Sequence, residues 1–474
     1  MVALDTLDAV IIGLFILLIL ALGFSARLRQ IDALQFIAAG RSLTLPVFVA
    51  TLVSTWYGGI LGIGESVQYY GLGTILLLGV PYYVFALLYA LVFAKRVRGA
   101  EQISIPERLA WHYGKPVALI GAVLVFLLGV PAAHVLMLGV LTEALTGWAP
   151  LASLLFGTVI GTLFLYRGGL LADARISLLA FVMMYVGFAV IAVYCLVNYP
   201  PGQAFASLQE SSPALFTFDG GVGILTVTSF LILGAWTLID PGFHQRVASA
   251  RDEKTGQKGV LVGILFWMIF DLLSVTTGMY ALALGTRQTA EPLLIFPLFG
   301  DEILPSGLKA VFFCGMMGTI VSAMVGYALV SGSTIGREIY GRLKGVEEGA
   351  AVVTWSRIGI AMATLVAIGL ALMLDSVVAL WYSWGGAVVG ALLIPVSLAY
   401  GLGGRFKFAP GWIAASMVVS FMVSFIWLVA GTTAGNEFLL VTLPGGDVFG
   451  LGTLIPGLGT SAIVLGVSRL FGSK

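Results

Sequence analysis

The chain has 474 residues, 59% hydrophobic and only 10% charged, with Lys+Arg 24 against Asp+Glu 23 and a net charge of +1. Soluble proteins carry about 45–50% apolar and about 25% charged residues, so a soluble globular enzyme and a disordered chain are excluded. The lack of a basic field excludes a nucleic-acid binder.

A mean hydropathy of +1.05 fits a chain whose main solvent is lipid. The start, MVALDTLDAV, has acidic residues and no basic region before its apolar run, so the first span is expected to be retained and not cleaved as a signal. A crossing needs about 20 apolar residues, and apolar runs between loop signals predict about thirteen helices. They lie near 7–25, 46–65, 74–95, 116–142, 150–166, 174–197, 223–246, 257–285, 308–340, 351–374, 376–401, 409–431 and 449–470. No Ser- or Pro-rich linker divides them, so 1–474 reads as one transmembrane domain. Cys195 and Cys314 fall inside apolar runs and read as small buried hydrophobes.

Lys and Arg mark the cytoplasmic loops of membrane proteins. With the N-terminus outside, the alternate loops that fall inside collect basic residues from Arg27, Arg29 and Arg41 through Arg246 and Arg337 to Arg405 and Lys474; of the 24, only Arg287 and Lys309 fall outside. The expectation is a multi-pass plasma (inner) membrane protein with its N-terminus outside and its C-terminus cytoplasmic.

Two spans carry backbone breakers at mid-membrane. The second, VFVATLVSTWYGGILGIGES, has Ser54, Thr55, Gly58 and Gly59 at its centre; the seventh, LTVTSFLILGAWTLIDPGFHQR, has Asp240, Pro241 and Gly242 in its second half. In lipid, irregular backbone is tolerated only where it lines a cavity. With 7–25 set aside, the two lead successive five-helix groups, 46–197 and 223–401, with 409–470 added at the end. An odd number of helices per group gives the second group opposite topology, the inverted repeat of secondary transporters that bind solute near the midplane.

Ionisable groups at membrane depth are candidates for function. Asp240 at the seventh-span break can attract a cationic solute or carry a proton, or serve as a helix cap. Asp271, within WMIFDLLSVTTG, can pair in the bundle or take part in ion or proton coupling. His134, after Pro131, can line the cavity or be a satisfied core histidine. Glu65 and Glu143 read as vestibule or interface groups. The aromatics Trp56, Tyr57, Tyr82, Tyr83, Trp236, Trp381 and Trp384 can attract an ammonium at about 0.5–2 kcal/mol each or sit in interfacial belts.

The stretches AAGRSLTLPVFVATLVSTWYGGILGIG, IDPGFHQRVASARDEKTGQKG and TIVSAMVGYALVSGSTIGREIYGRL resemble the second, seventh and ninth spans of the sodium:solute symporters, a family with the LeuT-type fold; the match runs from about residue 36 to residue 400. STWYGG and the FAK of VFAKRVRG are most similar to the branch that contains choline transporters. The resemblance implies a sodium site made by the carbonyls of Leu52, Thr55 and Thr319 and the hydroxyl of Ser322. The family usually has a second hydroxyl next, where this chain has Ala323. Some members use an acid in the sixth span for a second sodium; the corresponding position within GGLLADARISLLA is read as Ser177, so no second sodium is expected. Trp56 and Tyr82 match aromatic positions of the choline site in that branch, but a further cage position falls on Asp240.

These readings converge on an all-α secondary active transporter that carries a small organic solute inward with sodium by alternating access. Trp56, Gly58, Gly59, Tyr82, His134, Trp236 and Asp240 are the expected solute contacts, and the solute is cationic if the aromatic box is used. Proton coupling through Asp240 and Asp271, or sodium-independent transport, is the alternative. A membrane sensor on the same scaffold is weaker still, since few residues follow the last span. Enzyme chemistry is not expected: His112, His134 and His244 lie on different elements, and neither HExxH nor GxSxG occurs.

Overall fold

The computed structural model describes residues 2–28, 31–285, 291–346, 348–373, 376–404, 406–433, 440–442, 448–450 and 452–470. Arg29, Arg287, Arg405 and Lys474, counted in the charge pattern, lie outside the described residues. Eleven helices among the described residues are long and apolar enough to cross a membrane. Two shorter apolar helices, Gly386–Ala399 and Leu454–Leu470, lie within the remaining two expected spans. The last of these begins only at Leu454, because Leu440–Thr442 (β1) and Val448–Gly450 (β2) instead form a short antiparallel ladder, Leu440 opposite Gly450.

The helices start and stop where local chemistry demands. Helix α1 (Thr6–Ser25) opens with a capping box between Asp5 and Asp8. The second span is split into α2 (Leu45–Trp56) and α3 (Ile60–Tyr70) by a tight 3-10 turn at Tyr57–Gly59. Helix α4 (Val80–Leu88) lies within the third span, Ile75–Gly99. The fourth span is also broken. Helix α5 (Lys115–Gly129) ends, Val130 is extended, and α6 (Ala132–Thr146) restarts after Pro131, which lacks an N–H and disfavours helical geometry in the residue before it. Then follow α7 (Pro150–Thr162) and α8 (Leu170–Asn198). The seventh span comprises α9 (Gly223–Leu233), a 3-10 turn over Gly234–Leu238 and α10 (Pro241–Ser249). Helices α11 (Glu253–Leu284), α12 (Leu308–Ser333), α13 (Ala350–Ala371), α14 (Gly386–Ala399), α15 (Pro410–Thr433) and α16 (Leu454–Leu470) complete the chain.

Burial locates the core. In the most apolar stretches of Leu45–Tyr70 and Leu308–Lys344, 89% of residues are buried, against 28% in Thr6–Ser25 and Pro410–Gly431. The former two therefore form the centre and the latter two the lipid-facing rim, where Leu14 and Leu17 of α1 and Ile426 of α15 are exposed. Helices α8 and α12 pack along each other. A methyl group on Gly315 would lie 2.8 Å from the Met183 carbonyl oxygen and 3.3 Å from the Gly187 Cα, so the small residues set this close approach.

Two polar residues sit differently from their sequence reading. Arg246 was placed with the inner-loop anchors, yet it is 1% exposed and paired inside the bundle. Glu65, expected as a vestibule or interface group, is 3% exposed and accepts from the Ser376 hydroxyl and the backbone N–H groups of Val377 and Val378. It thereby caps the segment that leads into Trp381.

Candidate solute cavity and cation site

The breaks in the second, fourth and seventh spans meet at a cavity of about 130 Å³. The second span contributes Thr55, Trp56, Tyr57, Gly59 and Ile63 to its wall, and the third contributes Leu78, Gly79, Tyr82 and Tyr83. The fourth-span break adds Leu128, Val130, Ala132, Ala133 and His134. Trp236, Asp240, Asp271, Tyr327, Leu380, Trp381, Trp384 and Gly385 close it. Of the expected solute contacts, Trp56, Gly59, Tyr82, His134, Trp236 and Asp240 line this cavity together. Gly58 does not line it. A methyl group there would fall 1.9 Å from the Ala323 Cβ, so Gly58 serves the close approach of the second span to α12. Gly59 plays the corresponding part toward Trp381, whose ring would meet an added methyl at 2.2 Å.

Asp240 is the N-cap residue of α10, just past the 3-10 turn, and does two things at once. Its Oδ1 accepts from the Phe243 N–H at 2.8 Å, the cap of α10, and its Oδ2 accepts from the Tyr327 hydroxyl at 3.0 Å. The cap reading and the cavity reading of Asp240 therefore describe one carboxylate. Across the cavity Asp271 accepts a hydrogen bond from the Tyr83 hydroxyl. Trp56 stands edge-on to Tyr82 with ring centres 4.7 Å apart. His134 stacks on Tyr327 at 5.3 Å and 21°. No Lys or Arg is among the lining residues.

Beside the cavity, between α2, α8, α10 and α12, lies a second polar cluster. The Ser322 hydroxyl is 2.8 Å from that of Ser54 and 2.9 Å from that of Ser177. Ser177 donates to Asp173 Oδ1 at 3.1 Å, and Asp173 Oδ2 pairs with Arg246 Nη2 at 3.0 Å. Arg246 also donates to Thr55 Oγ1 at 2.6 Å, to the Thr51 carbonyl at 3.3 Å and to the Gly242 carbonyl at 3.3 Å. Of the expected sodium ligands, Thr55 and Ser322 join this cluster. Leu52 and Thr319 sit on the same two helices, three residues before them. Sequence reasoning missed Asp173 and Tyr327, took Ser54 only as part of the second-span break and Tyr83 only as one of several aromatics, and misread Arg246. Asp173 and Ser177 share one helix face at i, i+4 spacing, which was the signal in LADARISLLA that reading Ser177 alone passed over.

Three spans broken at mid-membrane around a shared cavity, with an oxygen-rich cluster at its side, define a secondary active transporter. Residues 36–399 match the Sodium:solute symporter family, and the chain belongs to that family. It is a multi-pass membrane protein that couples solute movement to a cation, and it is not an enzyme. A similar protein is the osmoregulated proline transporter of Bacillus subtilis (strain 168), 23% identical over 495 residues that cover 97% of this chain and 96% of that one. In structure the chain is similar to a Na+-coupled sialic acid symporter solved in a substrate-bound outward-open state, described as revealing a novel Na+ site. The TM-score is 0.79 at 14% sequence identity, with 99% of this chain and 98% of the other covered. That likeness establishes the LeuT-type fold.

Proposed function

We propose that the protein imports a small organic solute bearing a cationic group, driven by sodium, across a cell membrane in which its N-terminus is outside and its C-terminus cytoplasmic. The carrying observation is the wall of the cavity: two carboxylates, eight Trp and Tyr side chains and no Lys or Arg. Such a wall attracts an ammonium both by charge and by the aromatic faces.

Charge supports the coupling ion. Asp173, Asp240 and Asp271 are buried, and Arg246 is the only basic side chain hydrogen-bonded to any of them among the described residues. Buried charges require partners, and one sodium ion plus one solute ammonium would neutralise the surplus. The ion would take the carbonyls of Leu52, Thr55 and Thr319 and the Ser322 hydroxyl, oxygen ligands that suit a hard cation. The neighbouring hydroxyls of Ser54 and Ser177 stand in for the one absent at Ala323.

The test is thermal unfolding of the purified protein against amines, amino acids, sugars and carboxylates, each in sodium and in potassium. A ligand at 100 times its Kd stabilises by about 2.7 kcal/mol. Stabilisation by an amine-bearing solute that is larger in sodium is expected. Equal stabilisation in both salts would refute sodium coupling, and dependence on pH in its place would favour the proton-coupled alternative.

A further inference from the structure

We infer that Ser104, Glu107, Arg337 and Glu338 form a latch that shuts the way from the solute cavity to the cytoplasm. This rests on the transporter reading above and adds the route by which the solute leaves.

A second cavity of about 20 Å³ lies beyond the first. Three helices line both. Helix α5 gives Leu128 to the first and Val125 to the second, and α12 gives Tyr327 and then Val330. Helix α10 gives its cap Asp240 to the first and Pro241 and Gln245 to the second. Three residues of helix rise about 4.5 Å, so the second cavity continues the first. On all three helices the step runs toward basic loop residues: Lys115 before α5, Arg251 after α10 and Arg342 after α12. The second cavity is far smaller than the first, so a solute passes only when it widens.

Ser104, Arg337 and Glu338 also line it, and their bonds tie two elements together. The short helix Ile105–Tyr113 is capped by Ser104, whose Oγ accepts from the Glu107 N–H at 3.1 Å. Glu107 Oε2 accepts in return from the Ile103 N–H at 2.8 Å. Each capping side chain has a further polar group, and each turns it to the ninth span. The Ser104 hydroxyl donates to Glu338 Oε1 at 2.6 Å, and Glu107 Oε1 accepts from Arg337 Nη2 at 2.9 Å. Arg337 and Glu338 belong to Thr334–Gly341, where α12 runs on in π-helical form, a winding frequent at functional sites. The Arg337 and Glu107 side chains are 13% and 22% exposed and that of Glu338 2%, so the latch is shielded from the solvent that weakens surface pairs. A helix cap needs neither contact to the ninth span. Breaking them therefore widens the cavity and leaves the capped helix intact.

Ser333 lines the second cavity and is 9% exposed, so Ser333→Cys reports access to it. The probe is a trimethylammonium methanethiosulfonate, applied to the purified full-length protein, whose own Cys195 and Cys314 are buried. Glu107→Gln keeps an acceptor for the Ile103 N–H, as glutamine does in helix caps, and removes the ion pair. Added to Ser333→Cys it should raise the labelling rate at least about tenfold. Arg337→Gln breaks the pair from the other side, should do the same, and serves if Glu107→Gln does not fold. In the absence of Ser333→Cys, both latch variants should leave Cys195 and Cys314 unlabelled, which a general loosening of the fold would not. Fast labelling with the latch intact, a rate unchanged by both variants, or labelling of the natural cysteines overturns the inference. Unchanged rates beside sodium-dependent stabilisation by an amine-bearing solute would sink the latch and leave the transporter reading standing. Faster labelling in a protein that no solute stabilises would do the reverse.

Discussion

Replacing Asp173 by Asn strands the Arg246 guanidinium in the middle of the helix bundle. The pair is closed at 3.0 Å with side chains 1% and 0% exposed, so water cannot reach the abandoned charge. Removing one partner of such a pair costs about 3–5 kcal/mol, whereas replacing both by apolar residues of similar size is often neutral or better. Arg246→Met should also be costly, since it leaves Asp173 buried without its ion-pair partner and frees the Thr51 and Gly242 carbonyls that the guanidinium now satisfies. The double variant Asp173→Leu/Arg246→Met should recover much of the loss. The assay is thermal and denaturant unfolding of the three purified variants in detergent, read as a double-mutant cycle. Because Ser177 links Asp173 to Ser322, Asp173→Asn should also reduce the stabilisation that sodium gives. Strictly additive losses, with the double variant less stable than either single one, would refute the idea that the two residues act as one buried unit.

Other expectations follow from the same geometry. Ser322→Ala removes the hydroxyl at the centre of the serine cluster and should raise the sodium concentration for half-maximal stabilisation by at least about tenfold; Ala323→Ser should lower it. Trp56→Ala should weaken solute binding by about 0.5–2 kcal/mol, measured by fluorescence titration, with Trp56→Phe intermediate. Gly59→Val places a branched side chain where even a methyl would lie 2.2 Å from the Trp381 ring; uptake should collapse while the protein remains in the membrane fraction. Asp271→Asn should weaken an amine-bearing solute more than Tyr83→Phe does, since the latter removes only a hydrogen bond to the carboxylate.

The fold was legible because lipid leaves few options. Hydrocarbon demands long apolar helices, and mid-membrane breakers such as Gly58–Gly59 and Asp240–Pro241 stand out against them. The site was legible only in part. Trp56, Trp236 and Asp240 stand out because they lie at or near the breaks, and Tyr82 because it matches an aromatic position of the choline branch. Tyr327 reaches the cavity from an unbroken helical stretch, where one more aromatic in an apolar run gives no sign of which way it faces. Arg246 was misread for a definite reason: a charge count cannot distinguish an arginine that reaches the interface from one buried against an aspartate 73 residues away in sequence. Glu65 likewise meets its partners at Ser376, Val377 and Val378 only through the fold.

Flux in proteoliposomes tests the central claim most directly. Purified protein is reconstituted, loaded with potassium, and given the solute that stabilises it best, with an inward sodium gradient imposed across the bilayer. The account predicts that the solute accumulates above its external concentration, that accumulation vanishes when sodium is equal on both sides, and that Ser322→Ala depresses it. Accumulation that proceeds undiminished in sodium-free medium, or that follows a pH gradient alone, would contradict it.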